Sequence, residues 1–359
     1  MQRVSLSSRY EWASDGGQVK EGIETWLGEI VGPSVIDSGV ASFAMSGSDF
    51  VGIIHAGGRV YHMATDPGSP TGMVVIENDQ TSSSGGWCAV KPTPEEFVGD
   101  EDQHASPLQY DDPLAGTSVI WTPPKAVVRV KFVFSKDAHQ TWHASLWQTA
   151  ALNEANYVSH YNGPKVAFEY GGRVYDASFW SSRNADLDHY WLDRSKWTGS
   201  MRGNADLVYL VAKDFGSTLG LAWLGAHKEM YFTGVVSIKG LKSGEYVLAH
   251  ELGHSLMARH DPYTRRKYDR VSNITGSNHG YVQFPFGTQC LGYWCAPYGY
   301  RDVMAYDDEC RDGGGMFGCQ ILPAYSKELC FYGGMCFGSS VSDAQPTILN
   351  WARRVMWYR

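Results

Sequence analysis

The sequence predicts an α/β domain preceded by a small antiparallel β domain, and three observations support this division. Short β-rich runs broken by glycine fill residues 22–80, and strands alternate with helical segments further along the chain. A stretch with six prolines and seven acidic residues separates the two regions and is typical of an extended linker. The expected divisions are therefore 1–90 for the β domain, 91–125 for the linker and 126–359 for the larger domain.

The predicted N-terminal domain contains five runs that are separated by glycine or by other turn-forming residues. A Gly57-Gly58 pair between the third and fourth runs indicates a tight hairpin turn, which favours antiparallel pairing. No combination of residues in this region suggests catalysis. The five runs are Thr25–Val31, Val40–Met45, Phe50–His55, Arg59–Met63 and Met73–Glu77.

The larger domain is predicted from strands and helices that alternate up to about residue 260. Lys165–Tyr175 is predicted to be a hairpin that turns at Gly171-Gly172. A glycine- and cysteine-rich region then leads to a C-terminal helix over Asp343–Val355. The other predicted strands are Val127–Ser135, Asp206–Ala212 and Tyr231–Ile238, and the other predicted helices are Ala138–Ser159 and Ala185–Trp197.

The composition excludes several classes of protein. A net charge of −8, spread along the chain, argues against nucleic acid as the main partner. No apolar run approaches the roughly 20 residues that are needed to span a bilayer, so no membrane span is expected. The first thirty residues lack the hydrophobic core of a secretory signal, but the cysteine placement below favours an oxidising, extracellular destination.

Six of the seven cysteines are close together in the C-terminal part of the chain, while Cys88 stands alone far upstream. Six clustered cysteines can form three disulfides, and fifteen connectivities are open. Their spacing contains no CxxC pair, which argues against a structural zinc knuckle. The six are Cys290, Cys295, Cys310, Cys319, Cys330 and Cys336.

The segment from His250 to His254, with Glu251 between them, is the strongest indication of chemistry. On a helix, a spacing of four residues rotates the second histidine by about 400°, so both rings lie on one face. Both imidazoles can then bind one Zn²⁺ ion. Glu251 points away from that face and can act instead as a general base on a water bound to the metal.

His260 can join the same metal only if the helix ends soon after His254 and the chain turns back. On an unbroken helix, a residue ten positions after His250 would lie about 280° round the axis and about 9 Å beyond His254. The pair His139 and His143 also has helical spacing, but it lacks a glutamate and a third partner, and we expect no metal there.

The segment Leu248–Asp261 resembles the zinc signature of the metzincins, in particular the reprolysin (adamalysin-like) branch and its bacterial relatives. The sequence over Asp302–Tyr306 is similar to the Met-turn of that family, and Asn204–Leu210 with Gly220–Leu224 resembles its strands before the active-site helix. The resemblance covers about residues 126–359. The N-terminal unit resembles bacterial propeptides of such enzymes more loosely.

The resemblance implies a metzincin-type fold, with a mixed sheet, an active-site helix and a disulfide-rich C-terminal part. It implies that His250, His254 and His260 bind zinc, that Glu251 is the general base and that Met304 packs beneath the metal. Tyr306 either binds the metal or stabilises the oxyanion, as in astacin- and serralysin-like members, or is a packing residue, as in the reprolysin branch.

The chain departs from the family pattern at one position of the signature. The family has glycine three residues after the second histidine, where the backbone turns sharply, and this chain has Met257 there. A left-handed backbone costs methionine on the order of 1 kcal/mol. Asp261 is therefore the alternative third ligand. His279 lies between the zinc signature and the Met-turn, and we expect a loop histidine without a metal role.

Cys88 is a candidate for keeping such an enzyme latent. A thiolate is a strong zinc ligand, and a propeptide cysteine at the open fourth position would displace the catalytic water. Cys88 lies in a serine- and glycine-rich stretch and precedes the linker, where activating cleavage is expected between Lys91 and Lys125. An inert thiol or a different disulfide pairing is the alternative.

The sequence therefore predicts a secreted, monomeric zinc endopeptidase that is made as a zymogen and acts on protein or peptide substrates. The strand Tyr231–Ile238 would form the upper rim of the cleft and align an extended substrate. Two alternatives remain: a secreted binding or adhesion protein on a catalytically degenerate metzincin scaffold, and a metal-dependent hydrolase that acts on something other than peptides.

Overall fold

The structure is a computed structural model, and it describes most of the chain in segments. The described residues are 4–10, 22–30, 39–56, 59–66, 68, 72–78, 87–88, 124–161, 163–176, 202–225, 233–269, 274, 276–283, 299–312, 319–328, 330–331, 335–336 and 338–356.

A six-stranded antiparallel sheet is built from the N-terminal part of the chain, and its strands lie in chain order. Five of them confirm the predicted runs, and one strand precedes those. Alternating apolar side chains place Val40, Ala44 and Val51 on the buried face. The strands are β1 (Val4–Tyr10), β2 (Ile23–Ile30), β3 (Gly39–Ser46), β4 (Asp49–Ala56), β5 (Arg59–Thr65) and β6 (Met73–Asn78).

A second six-stranded sheet of mixed direction has the order β7-β11-β12-β10-β8-β9. Strands β9, β8, β10 and β12 are parallel, β11 runs antiparallel to β12, and β7 lies parallel to β11 on its outer side. The strands are β7 (Trp87–Cys88), β8 (Ala126–Ser135), β9 (Val166–Asp176), β10 (Leu207–Ala212), β11 (Thr218–Ala222) and β12 (Thr233–Ser237).

Two predictions about this sheet were wrong. Lys165–Tyr175 is not a hairpin: it belongs to the single strand β9, whose register against β8 shifts between Val130 and Phe132. The glycine pair therefore marks an irregularity within one strand, which is the other common use of glycine in sheets. The strand at Tyr231–Ile238 is also not the rim, because β12 is paired on both sides and every residue of it is buried.

Seven short helices accompany the sheets in the described residues. The predicted helix over Ala138–Ser159 is broken near His143, which has a left-handed backbone (φ 58°). The predicted helix at Ala185–Trp197 falls outside the described residues. The helices are α1 (Lys136–His139), α2 (Ala144–Asn156), α3 (Ile238–Lys242), α4 (Val247–Ser255), α5 (Pro262–Thr264), α6 (Asp308–Asp312) and α7 (Ala344–Val355), with π-helical turns at Tyr157–Tyr161 and Arg265–Asp269.

Helix α2 packs between the two large sheets, so that the N-terminal sheet and the larger region share one apolar cluster. Almost every residue of α2 is buried. The Ser42 hydroxyl on β3 donates to the carbonyl of Ala150 in α2 at 2.8 Å. The predicted boundary between the domains lies among residues that the structure does not describe, and it stays a prediction.

The C-terminal part contains two small sheets, one of β13 (Val282–Gln283), β14 (Gly299–Arg301) and β15 (Cys319–Ile321), the other of β16 (Cys330–Phe331) and β17 (Met335–Cys336). Cys310 is bonded to Cys319, and Cys290 and Cys295 lie outside the described residues. No helix in the described segments is long and apolar enough to cross a membrane.

Candidate metal centre

Helix α4 places His250 and His254 on one face, as their spacing predicts. The helix is buried along its whole length, because it packs beneath β11 and β12 and against α2. It begins after Tyr246, which has a left-handed backbone, and it ends at Leu256. The amide of Ala258 then bonds to the carbonyl of Gly253 at 2.9 Å, which closes the end of the helix.

The chain turns sharply at Met257, and this turn brings His260 back to the other two histidines. Met257 has a φ of 71°, so the position where related proteins have glycine is left-handed here as well. The Asn278 side chain donates to the Met257 carbonyl at 2.5 Å. The conformation that the signature predicted for this position is therefore present despite the methionine.

The three histidine rings converge on one point. Their Nε2 atoms are 2.9 Å apart between His250 and His254, 3.1 Å between His254 and His260, and 3.2 Å between His250 and His260. All three residues are buried. Since imidazole nitrogens bind zinc at about 2.0–2.1 Å, this spacing fits three ligands of one ion.

The other ring nitrogens show which form of the imidazoles is present. His250 Nδ1 donates to the Val303 carbonyl and His254 Nδ1 donates to the Ala258 carbonyl, each at 2.7 Å. Burial lowers the pKa of His250 to about 4 and holds the pKa values of His254 and His260 well below 6.5. The neutral rings therefore direct Nε2 lone pairs at one another, an arrangement that favours a cation between them.

Glu251 is fully buried and lies against strand β11. A Cβ atom built on Gly220 would be 2.5 Å from its Oε1 atom, so the carboxylate occupies the space that a side chain on this strand would need. The structure thus places Glu251 next to His250 in the sequence of α4, with its side chain against β11.

Met304 and Tyr306 lie next to the histidine cluster, as the Met-turn predicts. Met304 is fully buried, and its sulfur would be 2.6 Å from a Cβ built on Gly253 of α4. The ring of Tyr306 is 4.5 Å from the ring of His260, centroid to centroid, and 5.9 Å from that of His250. Tyr306 thus lies beside two of the three histidines.

Asp261, the alternative third ligand, has another structural position. Its carboxylate accepts from the amides of Thr264 at 2.8 Å and Tyr306 at 3.0 Å. It therefore caps α5 and ties the zinc signature to the Met-turn. The group of three metal-ligand side chains in this part of the molecule contains His260 and does not contain Asp261.

Cys88 is placed near Glu251 by the register of the second sheet. Strand β7 is parallel to β11, and Cys88 pairs with Gly220, the residue that lies against Glu251. Strand β11 therefore lies between β12 and β7, and β7 is the outermost strand at this end of the sheet. The sequence did not predict this pairing, because more than a hundred residues separate the two strands.

Three further contributors were not predicted from the sequence. The Val303 carbonyl orients His250, and Asp302 accepts from the amides of Met304 and Ala305. His279 donates to the His260 carbonyl at 3.0 Å, so it contacts the backbone of a candidate ligand, and the group of three metal-ligand side chains does not include it. For His279, the only indication in the sequence was its position between the zinc signature and the Met-turn.

Other candidate groups of side chains in the described residues are not suited to bind a metal. The group of Asp307, Cys310 and Cys319 contains the two disulfide-bonded cysteines, which cannot act as thiolate ligands. His139 stacks on Tyr175, while His143 bonds to Thr65. His139 and His143, the other pair with helical spacing, thus contact different side chains.

Comparisons with known proteins agree with this geometry. Residues 131–311, just over half of the chain, match a family model described as metallo-peptidase family M12. A protein from Stenotrophomonas maltophilia named peptidyl-Asp metalloendopeptidase is 22% identical over 380 residues, with 99% of this chain and 80% of that protein covered.

Two solved structures are also similar. Metalloproteinase-II from Bacteroides fragilis has a TM-score of 0.41 at 14% identity, over 70% of this chain and 74% of that one. A structure described as a chaperone–substrate complex has a TM-score of 0.45 at 16% identity, and the match covers 89% of this chain but only 39% of that one. By the family match, the chain belongs to metallo-peptidase family M12 and is a metalloendopeptidase.

Proposed function

We propose that the protein is a secreted, monomeric zinc endopeptidase that is made as a latent zymogen. The observation that supports this most directly is the convergence of three buried Nε2 atoms within 3.2 Å, on rings whose Nδ1 atoms are held in two cases by backbone carbonyls. Three nitrogen ligands and an open fourth position are typical of catalytic zinc sites.

His250, His254 and His260 would hold the zinc ion. When bound, the ion would act as a Lewis acid that activates water and polarises the carbonyl of the scissile peptide bond. The Val303 and Ala258 carbonyls keep two of the rings in the tautomer that leaves Nε2 free for the metal.

Glu251 would be the general base. Its carboxylate would take a proton from the attacking water and then transfer it to the amine of the leaving peptide. The backbone of β11 at Gly220 lies directly against this carboxylate, so a substrate that adds to β11 as a further strand would pass the base. Tyr306 would stabilise the oxyanion or shape the cleft from the opposite side.

Cys88 would keep the enzyme latent. Strand β7 occupies the outer edge of β11, where a substrate strand would pair, and Cys88 is at the register position of Gly220 beside Glu251. Substrate and the β7 segment therefore compete for the same edge. Replacing Cys88 with Ala should shorten the lag before casein cleavage begins, and an unchanged lag would argue against latency through this thiol.

The decisive experiment combines zinc content with activity. We expect one tightly bound zinc ion per chain and casein cleavage that falls by about 100-fold or more in the Glu251→Ala variant, since general-base catalysis typically contributes that much. Peptides that contain aspartate belong in the substrate panel because of the name of the Stenotrophomonas relative. Zinc-free protein without cleavage would instead favour the binding scaffold.

A further inference from the structure

The position of His260, the third histidine, depends on the strained turn at Met257. A short segment later in the chain contacts that turn on several sides. Met257 has a left-handed backbone, which methionine adopts at a cost that glycine does not incur. Without compensation, the backbone would relax and move His260 away from the other two rings. The compensation has to come from contacts that exist only when the turn is formed.

The segment Asn278–Gly280, named the clamp, supplies such contacts. The Asn278 side chain donates to the Met257 carbonyl at 2.5 Å. The Arg259 amide bonds to the Asn278 carbonyl at 2.8 Å, and the Gly280 amide bonds to the Arg259 carbonyl at 2.9 Å. His279 Nδ1 donates to the His260 carbonyl at 3.0 Å.

The clamp is also packed against the Met-turn. A Cβ atom built on Gly280 would be 2.8 Å from the carbonyl carbon of Met304 and 2.9 Å from the amide of Ala305. A side chain would not fit there, so the backbone of Gly280 packs directly against the backbone of the Met-turn. Because Asn278 and His279 are buried as well, the clamp fills the space between the turn and the Met-turn.

The clamp is anchored from its other side by two serines. The Ser326 hydroxyl donates to the His279 carbonyl at 2.6 Å, and the Ser326 amide donates to Asp302 at 2.8 Å. Asp302 also accepts from the amide of Met304, so the clamp and the Met-turn share one anchor. The Ser342 hydroxyl donates to the Gly280 carbonyl at 2.9 Å.

We propose that Asn278, His279 and Gly280 are positioning residues that hold the left-handed turn at Met257 and thereby bring His260 to the metal. The proposal rests on the proposed function, because it takes zinc as the ion and His260 as a ligand. In related sequences, glycine at this position adopts the left-handed backbone without strain. In this chain, the clamp would stabilise that backbone instead.

The test measures zinc affinity by competition with a chelator, in the full chain carrying Glu251→Gln to prevent self-cleavage. Asn278→Asp keeps the size of the side chain but removes the donor to Met257. It should raise the zinc dissociation constant by about 10-fold to 100-fold, the range typical of residues that orient metal ligands. The matched control is Asn156→Asp, because Asn156 donates in the same way to the Phe168 carbonyl at 2.9 Å, away from the metal.

A double-mutant cycle separates positioning from general stability. In a Met257→Gly background the turn is no longer strained, so Asn278→Asp should then change the zinc dissociation constant by less than about threefold. Gly280→Ala retains every hydrogen-bonding atom of the clamp but pushes it off the Met-turn. It should also weaken zinc binding, and it provides an independent test if Asn278→Asp does not fold.

Three outcomes would overturn the inference: an unchanged dissociation constant in Asn278→Asp or, where that variant does not fold, in Gly280→Ala; an equal change in Asn156→Asp; or a loss that persists undiminished with Met257→Gly. If the Glu251→Gln parent itself binds no zinc, the proposed function fails instead. The parent measurement therefore distinguishes the two failures.

Discussion

Two clusters of histidines can be compared in this molecule, one at the candidate metal centre and one where the N-terminal sheet meets helix α2. At the metal centre the Nε2 atoms face one another within 3.2 Å. At the sheet interface His55 bonds to Glu154 at 2.6 Å, and His143 bonds to Thr65 at 3.2 Å.

The comparison teaches that a group of buried and half-buried histidines is not sufficient for a metal site. Each interface ring contacts a carboxylate, a hydroxyl or an aromatic side chain, as His62 does with the edge of Trp147 at 5.7 Å between centroids. Two rings of the metal centre, His250 and His254, have backbone partners on Nδ1, and the Nε2 atoms of all three rings are directed at a common point. Convergence of acceptor atoms distinguishes the two clusters.

The largest expected effect is the loss of zinc on removing a converging ring. His254→Ala should lower zinc affinity by about 1,000-fold or more, since one of three protein ligands disappears. His62→Ala should leave zinc affinity unchanged, because it removes a histidine whose ring packs on Trp147 and does not join the convergent cluster. Metal analysis after dialysis against a chelator measures both, and zinc loss in the His62 variant would break the comparison.

A smaller effect is expected from the hydrogen bond between His55 and Glu154. Glu154→Gln removes the carboxylate that bonds to His55, and both side chains are largely buried. The free energy of unfolding should fall by about 2 kcal/mol, as is typical of hydrogen bonds to charged groups. Denaturant titration measures the loss, and the zinc content serves as the control, because it should not change.

Acid should weaken the interface through His62. Burial, with smaller contributions from the positive charges of His55 and Lys242, lowers the pKa of His62 from 6.5 to about 4. The unfolded chain therefore binds a proton more readily, so the contribution of this group to stability is complete above pH 6.5 and is lost as the pH falls towards 4. After allowance for solvent screening, the loss amounts to about 1 kcal/mol.

Thermal unfolding of the Glu251→Gln protein between pH 7.5 and pH 4.5 measures this effect. The slope of stability against pH should be shallower in a His62→Gln variant, which has no titrating ring at this position. Equal slopes in the two proteins would assign the acid sensitivity to other groups. Since the metal ligands also titrate, both proteins are compared without zinc.

The smallest expected effect concerns a single neutral hydrogen bond. Ser42→Ala removes the side-chain donor to the Ala150 carbonyl, which lies within helix α2. The free energy of unfolding should fall by about 1 kcal/mol. Thermal or denaturant unfolding measures it, and an effect as large as that of Glu154→Gln would show that packing rather than hydrogen bonding dominates at this interface.

Much of the local structure was predictable because it depends on neighbouring residues. The five N-terminal runs became strands, His250 and His254 lie on one helix, and the C-terminal helix was found close to its predicted bounds, Asp343–Val355. Periodicity reports which face of an element is buried, and it is insensitive to what the element packs against. A local pattern does not show what a segment packs against, and for this reason the glycine pair in β9 was predicted to be a turn.

The sequence alone determined that His250 and His254 share a helix face and that Glu251 does not, because helical geometry depends only on spacing. Tertiary structure decided the rest of the site. It placed β11 between β12 and β7, brought Cys88 into register with Gly220, and supplied the Asn278 contact to the turn at Met257. Such contacts join residues that are distant in the chain, and no local pattern specifies which distant segments will meet.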